Sequence, residues 1–258
     1  DVLKVIERHT REYLPFEVYA KSLQEYFRNY EQTAGDWERH HSRMYPILDQ
    51  YQRDGYGALL KIGGKFGGAF LCDGVGLGKT FVGLMLIERL VKFARKKVLL
   101  IVPKSGREPV WESALRTYLP ELFGVFSNLV VINHTDLQRG GEWIERLQRI
   151  KDQADVVVMD EAHHFRNPST KKDTSRYWQM QDLAKGKQVF MLTATPINNR
   201  LIDLQHLIEH FTQRDAGHFR ETLGIHSLSG YFRKLEKDLA KRMGGELIGV
   251  IGISGRIG

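Results

Sequence analysis

The sequence predicts a doubly wound α/β domain built on a mostly parallel sheet. Three observations carry that prediction: short apolar runs recur without polar alternation, helical stretches separate them, and three of the runs end directly in glycine, acidic or hydroxyl clusters. Strands that lack alternation are buried on both faces. With helices between them, right-handed βαβ crossovers cover both sides of one sheet, and ligands gather beyond the carboxyl ends of the strands.

Residues 1–45 read as a helical extension. After Pro15, the positions Phe16, Tyr19, Leu23, Tyr26, Phe27 and Tyr30 recur at helical steps and form one aromatic face, expected to pack on the domain that follows. Gly35 and Asp36 break that pattern. From residue 46 to 211 the character is α/β. Strands are expected at 68–72, 98–102, 129–133, 156–159 and 188–192, with helices at 81–93, 142–150 and 176–184. Beyond Phe211 the strand pattern stops. Residues 212–258 hold a charged helix over 229–241 and a tail with six glycines in its last fifteen residues, which reads as a truncated end.

Composition narrows the class. The chain has 258 residues, 42% hydrophobic and 27% charged, enough for one domain or slightly more. No run of eighteen apolar residues appears, and the N-terminus (Asp1, Lys4, Glu7, Arg8) is charged where a signal peptide would be apolar. Membrane spanning and secretion are therefore not expected. A lone cysteine, Cys72, can neither close an internal disulfide nor cage zinc, and it fits a reducing cytoplasm. The net charge is +7. It is unevenly spread, since residues 1–50 are net −2 and the remainder +9. A polyanion would bind after residue 50, although a solvated basic surface would look the same.

Three motifs carry chemistry. Asp73-Gly74-Val75-Gly76-Leu77-Gly78-Lys79-Thr80 lies between an apolar strand and an amphipathic helix, the context a phosphate loop requires. Its glycines let backbone N–H groups face phosphate oxygens, Lys79 would reach the β and γ phosphates of ATP, and Thr80 would ligate Mg2+. Asp73 stands where the strict pattern has glycine. Asp160-Glu161-Ala162-His163 follows the run Val156-Val157-Val158-Met159, so Asp160 would hold Mg2+ and Glu161 would orient and deprotonate the attacking water. Lys79, Asp160, Glu161 and His163 form the expected catalytic set. His163 and His164 do not make a zinc site, because HExxH spacing is missing. Thr193-Ala194-Thr195-Pro196 again follows an apolar strand, and its small hydroxyls at a strand tip would sense the γ-phosphate and couple it to a neighbouring surface.

These residues resemble the first RecA-like lobe of superfamily-two helicases, and within them the Swi/Snf-type ATPases. The family's DExGLGKT loop is similar to residues 73–80, with Gly74 where an acid is common. Its DEAHRxKN box is similar to residues 160–167, DEAHHFRN, with His164 in place of the arginine. LTGTPxxN is similar to residues 192–199, LTATPINN. Upstream, residues 48–55 resemble LxPYQxxG, whose glutamine reads adenine, which implies that role for Gln52. Pro103, Lys104 and Ser105, followed by Trp111-Glu112, resemble the segment that contacts the nucleic-acid backbone.

The resemblance implies the ATP-binding lobe of a nucleic-acid-dependent ATPase, using ATP and Mg2+, acting on duplex DNA and completed by a second RecA-like lobe elsewhere in a longer chain. Nothing after residue 211 resembles that second lobe. A strand-separating helicase of restriction or phage-defence type shares every motif. A nucleotide switch that binds without turnover is the third reading, and Glu161 argues against it, because a pure binding module has no use for a water-activating carboxylate.

Overall fold

The computed structural model describes residues 35–74, 76–124, 127–169, 175–197 and 200–242. The aromatic stretch 16–30, Val75, Asn199 and the glycine-rich tail lie outside the described residues. Five strands form one sheet: β1 (Gly68–Leu71), β2 (Val98–Val102), β3 (Leu129–Asn133), β4 (Val156–Asp160) and β5 (Gln188–Leu192). Their order is β1-β5-β4-β2-β3, and every neighbouring pair is parallel. The expected doubly wound fold is what the chain adopts. The helices are α1 (Asp36–His40), α2 (Gln50–Phe66), α3 (Lys79–Glu88), α4 (Ser113–Tyr118), α5 (Trp143–Gln153), α6 (Arg176–Ala184), α7 (Ile202–Thr212), α8 (Arg220–Leu223) and α9 (Leu228–Arg242).

Period-two alternation within buried strands sorts the core into two layers. Val98, Leu100, Val102, Val158, Phe190 and Leu192 face Tyr56 and Leu59 of α2, Leu84 and Ile87 of α3, and Trp111 and Leu115. Leu99, Ile101, Val157, Met159, Val189 and Met191 face Leu147 of α5, Met180 and Leu183 of α6, and Leu207 of α7. A third cluster, Phe66, Phe219, Leu228 and Phe232, seats α9 against the C-terminal end of α2.

The expected strands at 98–102, 129–133 and 188–192 agree with β2, β3 and β5, while β1 stops one residue earlier and β4 runs one residue further. The helix expected at 81–93 is α3 followed by a π-helical stretch, Arg89–Phe93. The helices expected from the sequence do not include α2, α7, α8 or a helix that begins as a turn at Lys104–Gly106, widens to a π-helical stretch at Arg107–Glu112 and continues as α4. Pro109 sits inside the π-helical stretch. A proline there withdraws one N–H from the helical ladder, and the wider turn accommodates it.

The segment before α2 is tied to α3 through a buried charge. Glu88 is fully buried and accepts hydrogen bonds from the Ser42 hydroxyl (2.6 Å) and the backbone N–H groups of Arg43 (2.9 Å) and Met44 (3.1 Å), with Lys92 Nζ at 3.0 Å. A carboxylate taken out of water is tolerated only when paired and bonded in this way. The same segment adds Glu38, which accepts from Tyr56 Oη at 2.8 Å and pairs with Arg89. Among the described residues, no helix is long and apolar enough to cross a membrane.

Candidate nucleotide site

In a parallel sheet all carboxyl ends point one way, so the tips of β1, β5 and β4 fall side by side. The register pairs Leu71 with Leu192 and Leu192 with Asp160, and the Thr193 N–H donates to the Leu71 carbonyl at 3.0 Å. The three motifs therefore share one edge of the sheet.

The glycine-rich loop leaves β1 and turns into α3 through left-handed conformations at Gly76 (φ +83°) and Gly78 (φ +72°). Gly78 is required twice over, because a Cβ there would also meet Gln52 Nε2 at 2.4 Å. Gln52, buried in the first turn of α2, accepts from the Asp49 N–H (3.0 Å) and donates to the Leu77 carbonyl (3.2 Å). Tyr51 Oη donates to that same carbonyl at 3.0 Å. An amide has two donor hydrogens and two acceptor lone pairs, so Gln52 keeps one of each. Lys79 Nζ is folded back over its own loop and donates to the carbonyls of Asp73 and Gly74, each at 3.0 Å. Burial pushes the Asp73 carboxyl up, against the opposing charge of Lys79.

Asp160 ends β4. Its Oδ2 accepts from the indole N–H of Trp111 at 2.7 Å, and its Oδ1 from the Glu161 N–H at 3.0 Å. Burial raises its pKa, the Trp111 bond opposes that rise, and the charge of Lys79 reaches it as well. Its carbonyl accepts from His134 Nε2 at 2.8 Å, which fixes the ring's tautomer, and burial lowers His134 to about 4. Glu161 follows in the left-handed region (φ +49°). For a residue with a side chain that conformation costs roughly 1 kcal/mol or more and persists only where the surroundings impose it. Here the Asp160 carboxylate holds the Glu161 N–H, and the Glu161 carbonyl accepts from the His164 N–H at 3.2 Å. His163 Nδ1 lies 3.0 Å from Glu161 Oε2 and 3.4 Å from Thr193 Oγ1. Thr193 is fully buried and its hydroxyl also accepts from the Thr195 N–H at 3.3 Å, so the chain passes Ala194 in a tight turn. Burial, reinforced by Arg166, lowers the pKa of His163.

Among the described residues, no cluster of three or more His, Cys, Asp or Glu could cage a metal ion. Mg2+ bound with phosphates needs no such cluster, since it keeps several waters and takes one or two protein oxygens. Each Asp160 oxygen accepts one protein hydrogen bond and so retains a lone pair. Those lone pairs are what Asp160 could offer such an ion.

Pro103, Lys104 and Ser105 follow β2 and line a shallow cavity of about 570 Å³ together with His134, Thr135, His164 and Arg176. Thr135 and Arg176 were missed in the sequence, although the apolar run 129–133 ends directly before His134-Thr135. Trp111 differs from its expected place: it is fully buried against Asp160 and does not line this cavity.

The chain is similar to known proteins over most of its length. The uncharacterized ATP-dependent helicase YqhH of Bacillus subtilis is 31% identical over 193 residues, covering 71% of this chain and 33% of that protein. The DNA repair and recombination protein RAD54B of Gallus gallus is 26% identical over 242 residues, covering 80% of this chain and 25% of that protein. This chain thus spans a third or less of the length of either relative. Its fold is similar to that of the Sulfolobus solfataricus SWI2/SNF2 ATPase core in complex with dsDNA, with a TM-score of 0.56, 23% identity and coverage of 78% of this chain and 42% of that one. A family model, the SNF2-related domain, matches residues 30–245, so with its motifs gathered on one edge of a parallel sheet this chain belongs to the SNF2-related domain family.

Proposed function

We propose that the chain is the ATP-binding lobe of a duplex-DNA-dependent ATPase of Swi/Snf type, completed by a second RecA-like lobe. The observation that carries this reading is the contact of His163 with both Glu161 and Thr193, which links the hydrolytic carboxylate to the hydroxyl segment after β5.

In this reading, N–H groups of the loop 73–80 and the start of α3 cradle the triphosphate, where a helix N-terminus favours negative charge. Lys79 exchanges the carbonyls of Asp73 and Gly74 for phosphate oxygens. Gln52 offers its remaining N–H and lone pair to adenine from beneath the loop. Asp160 and Thr80 hold Mg2+, which when bound offsets the charge on the phosphate oxygens. Glu161 accepts the proton of the attacking water, and it is held in place by His163 Nδ1–H, the neutral imidazole that burial favours. Thr193, whose hydroxyl approaches the same His163 Nδ1, carries the state of the γ-phosphate side into β5 and the segment 193–195. Duplex DNA lies along the cavity of Lys104, Ser105, Thr135 and Arg176, whose cations and hydroxyls match a phosphate backbone.

The reading is supported by the basic surplus after residue 50, by the names of the two relatives and by the DNA-bound state of the structural neighbour. Its test is ATP turnover by the longer protein that contains both lobes, measured without DNA, with single strands and with duplex. Stimulation by duplex above single strands supports a duplex translocase. Stimulation by single strands alone makes the protein a strand-separating helicase, and no stimulation by either removes nucleic acid from the account.

A further inference from the structure

Among the described residues Trp111 is the largest fully buried side chain, and its single polar group donates to the Asp160 carboxylate. A buried indole N–H needs an acceptor, but a backbone carbonyl would serve. The acceptor is instead the one carboxylate at the tip of β4. Its other oxygen is held by the Glu161 N–H, so two donors from two elements fix the plane of the carboxyl group.

A second feature makes room for the ring. Gly83 lies in the middle of α3, the helix that follows the phosphate loop, where glycine costs roughly 1 kcal/mol relative to alanine. A Cβ at Gly83 would meet Trp111 Cη2 at 2.6 Å and Leu192 Cδ1 at 2.9 Å. The missing side chain is the slot through which the indole passes between α3 and the end of β5 to reach β4. The π-helical stretch Arg107–Glu112 that presents the ring begins just after Lys104 and Ser105.

We propose that Trp111 is a positioning residue for the Asp160 carboxylate, holding it through the indole N–H in the orientation that receives Mg2+, with Gly83 as the cleared space that allows the contact. The proposal rests on the reading that Asp160 holds Mg2+ beside a bound nucleotide. A carboxylate pinned by two N–H donors keeps one free lone pair on each oxygen and has no rotation to lose when the ion arrives. Without the indole bond one oxygen is released inside an apolar wall, and the group must be reordered at each binding event.

The test is a Mg2+ titration of the binding of a fluorescent ATP analogue to the 258-residue chain, beside the same binding in EDTA. In Trp111→Phe, which keeps an aromatic ring and removes the N–H, the Mg2+ concentration for half-maximal effect should rise about tenfold, with binding in EDTA within about twofold of wild type. Gly83→Ala retains the indole N–H but pushes the ring away from its seat and should show the same selective loss. In an Asp160→Asn background Trp111→Phe should add nothing. An unchanged Mg2+ requirement in folded Trp111→Phe overturns the proposal. So does an equal loss with Mg2+ and in EDTA, which would make Trp111 a packing residue. Should Trp111→Phe melt below the assay temperature, Gly83→Ala decides by the same two readouts. A wild-type chain that binds no analogue, or binds it without regard to Mg2+, instead refutes the nucleotide-site reading on which the proposal stands.

Discussion

His163 Nδ1 sits 3.0 Å from the Glu161 carboxylate, two residues away across a left-handed turn. A carboxylate oxygen only accepts, so the ring donates, and its Nδ1–H tautomer restrains the side chain we propose as the base. The lowered pKa of His163 keeps that ring uncharged near neutral pH, so Glu161 is oriented without a full positive charge that would weaken it as a base.

In the two-lobed protein, Glu161→Gln should preserve binding of nucleotide with Mg2+ and reduce turnover at least a hundredfold, since the amide keeps the shape and cannot take the proton of water. Binding of a fluorescent analogue and release of phosphate, measured on the same sample, separate the two effects. Retained turnover would move the base to another residue.

Gly78→Ala should cost more in nucleotide binding than Gln52→Ala. The added Cβ lies 2.4 Å from Gln52 Nε2, and the φ of +72° is strained for alanine, so both the loop and the seat of Gln52 beneath it suffer. Gln52→Ala is expected to lower the preference for ATP over GTP by about tenfold, or ~1.4 kcal/mol. Competition titrations with the two nucleotides read this directly, and an unchanged preference would remove Gln52 from adenine recognition.

Lys104→Ala should weaken duplex binding about equally for unrelated sequences and reduce the slope of affinity against salt by roughly one ion. Arg176→Ala, in the lining of the same cavity, should do likewise. Titrations at several salt concentrations check both variants. A loss that depends on sequence would indicate base readout.

His210 provides a test of the fold. It is fully buried, its Nε2 donates to the Phe165 carbonyl at 3.0 Å, and burial lowers it to about 4. The unfolded chain therefore binds a proton there at a pH where the folded chain does not. Below about 6.5 this group subtracts stability as pH falls, by up to ~1.4 kcal/mol per pH unit, and the effect is complete near 4. Denaturant midpoints across that window should fall less steeply in a folded His210→Gln variant.

The sheet was legible because its signals are local. Five apolar runs carry their own burial, and each of the three motif clusters sits at a strand's end: Asp160 is the last residue of β4, Thr193 directly follows β5 and Asp73 lies two residues past β1. Helix α2 was not legible. Its 17 residues include four glycines, and Gly63 is there because a Cβ would meet the Phe190 ring at 2.5 Å, a contact 127 positions away that no local pattern announces. Thr135 and Arg176 meet Lys104 only because β3 lies beside β2 and α6 crosses near their tips. Trp111 was noticed on sequence for a nucleic-acid contact, whereas a π-helical stretch rotates it inward onto Asp160.

The central claim is that this chain supplies one wall of an ATP site whose other wall, with its arginine finger, comes from a second lobe. A finger of that kind is worth roughly a thousandfold or more in rate. Lys79→Ala, which removes a charge-assisted contact worth on the order of 1.5 to 3 kcal/mol, should lower the affinity of the 258-residue chain for a fluorescent ATP analogue about tenfold or more. The most direct measurement is the steady-state rate of phosphate release by residues 1–258 alone, with and without that substitution. The account predicts almost no release from either form, with weak nucleotide binding in the wild type and weaker binding still in Lys79→Ala. Brisk hydrolysis by the wild-type chain, abolished in Lys79→Ala, would contradict it and make this domain a self-sufficient ATPase.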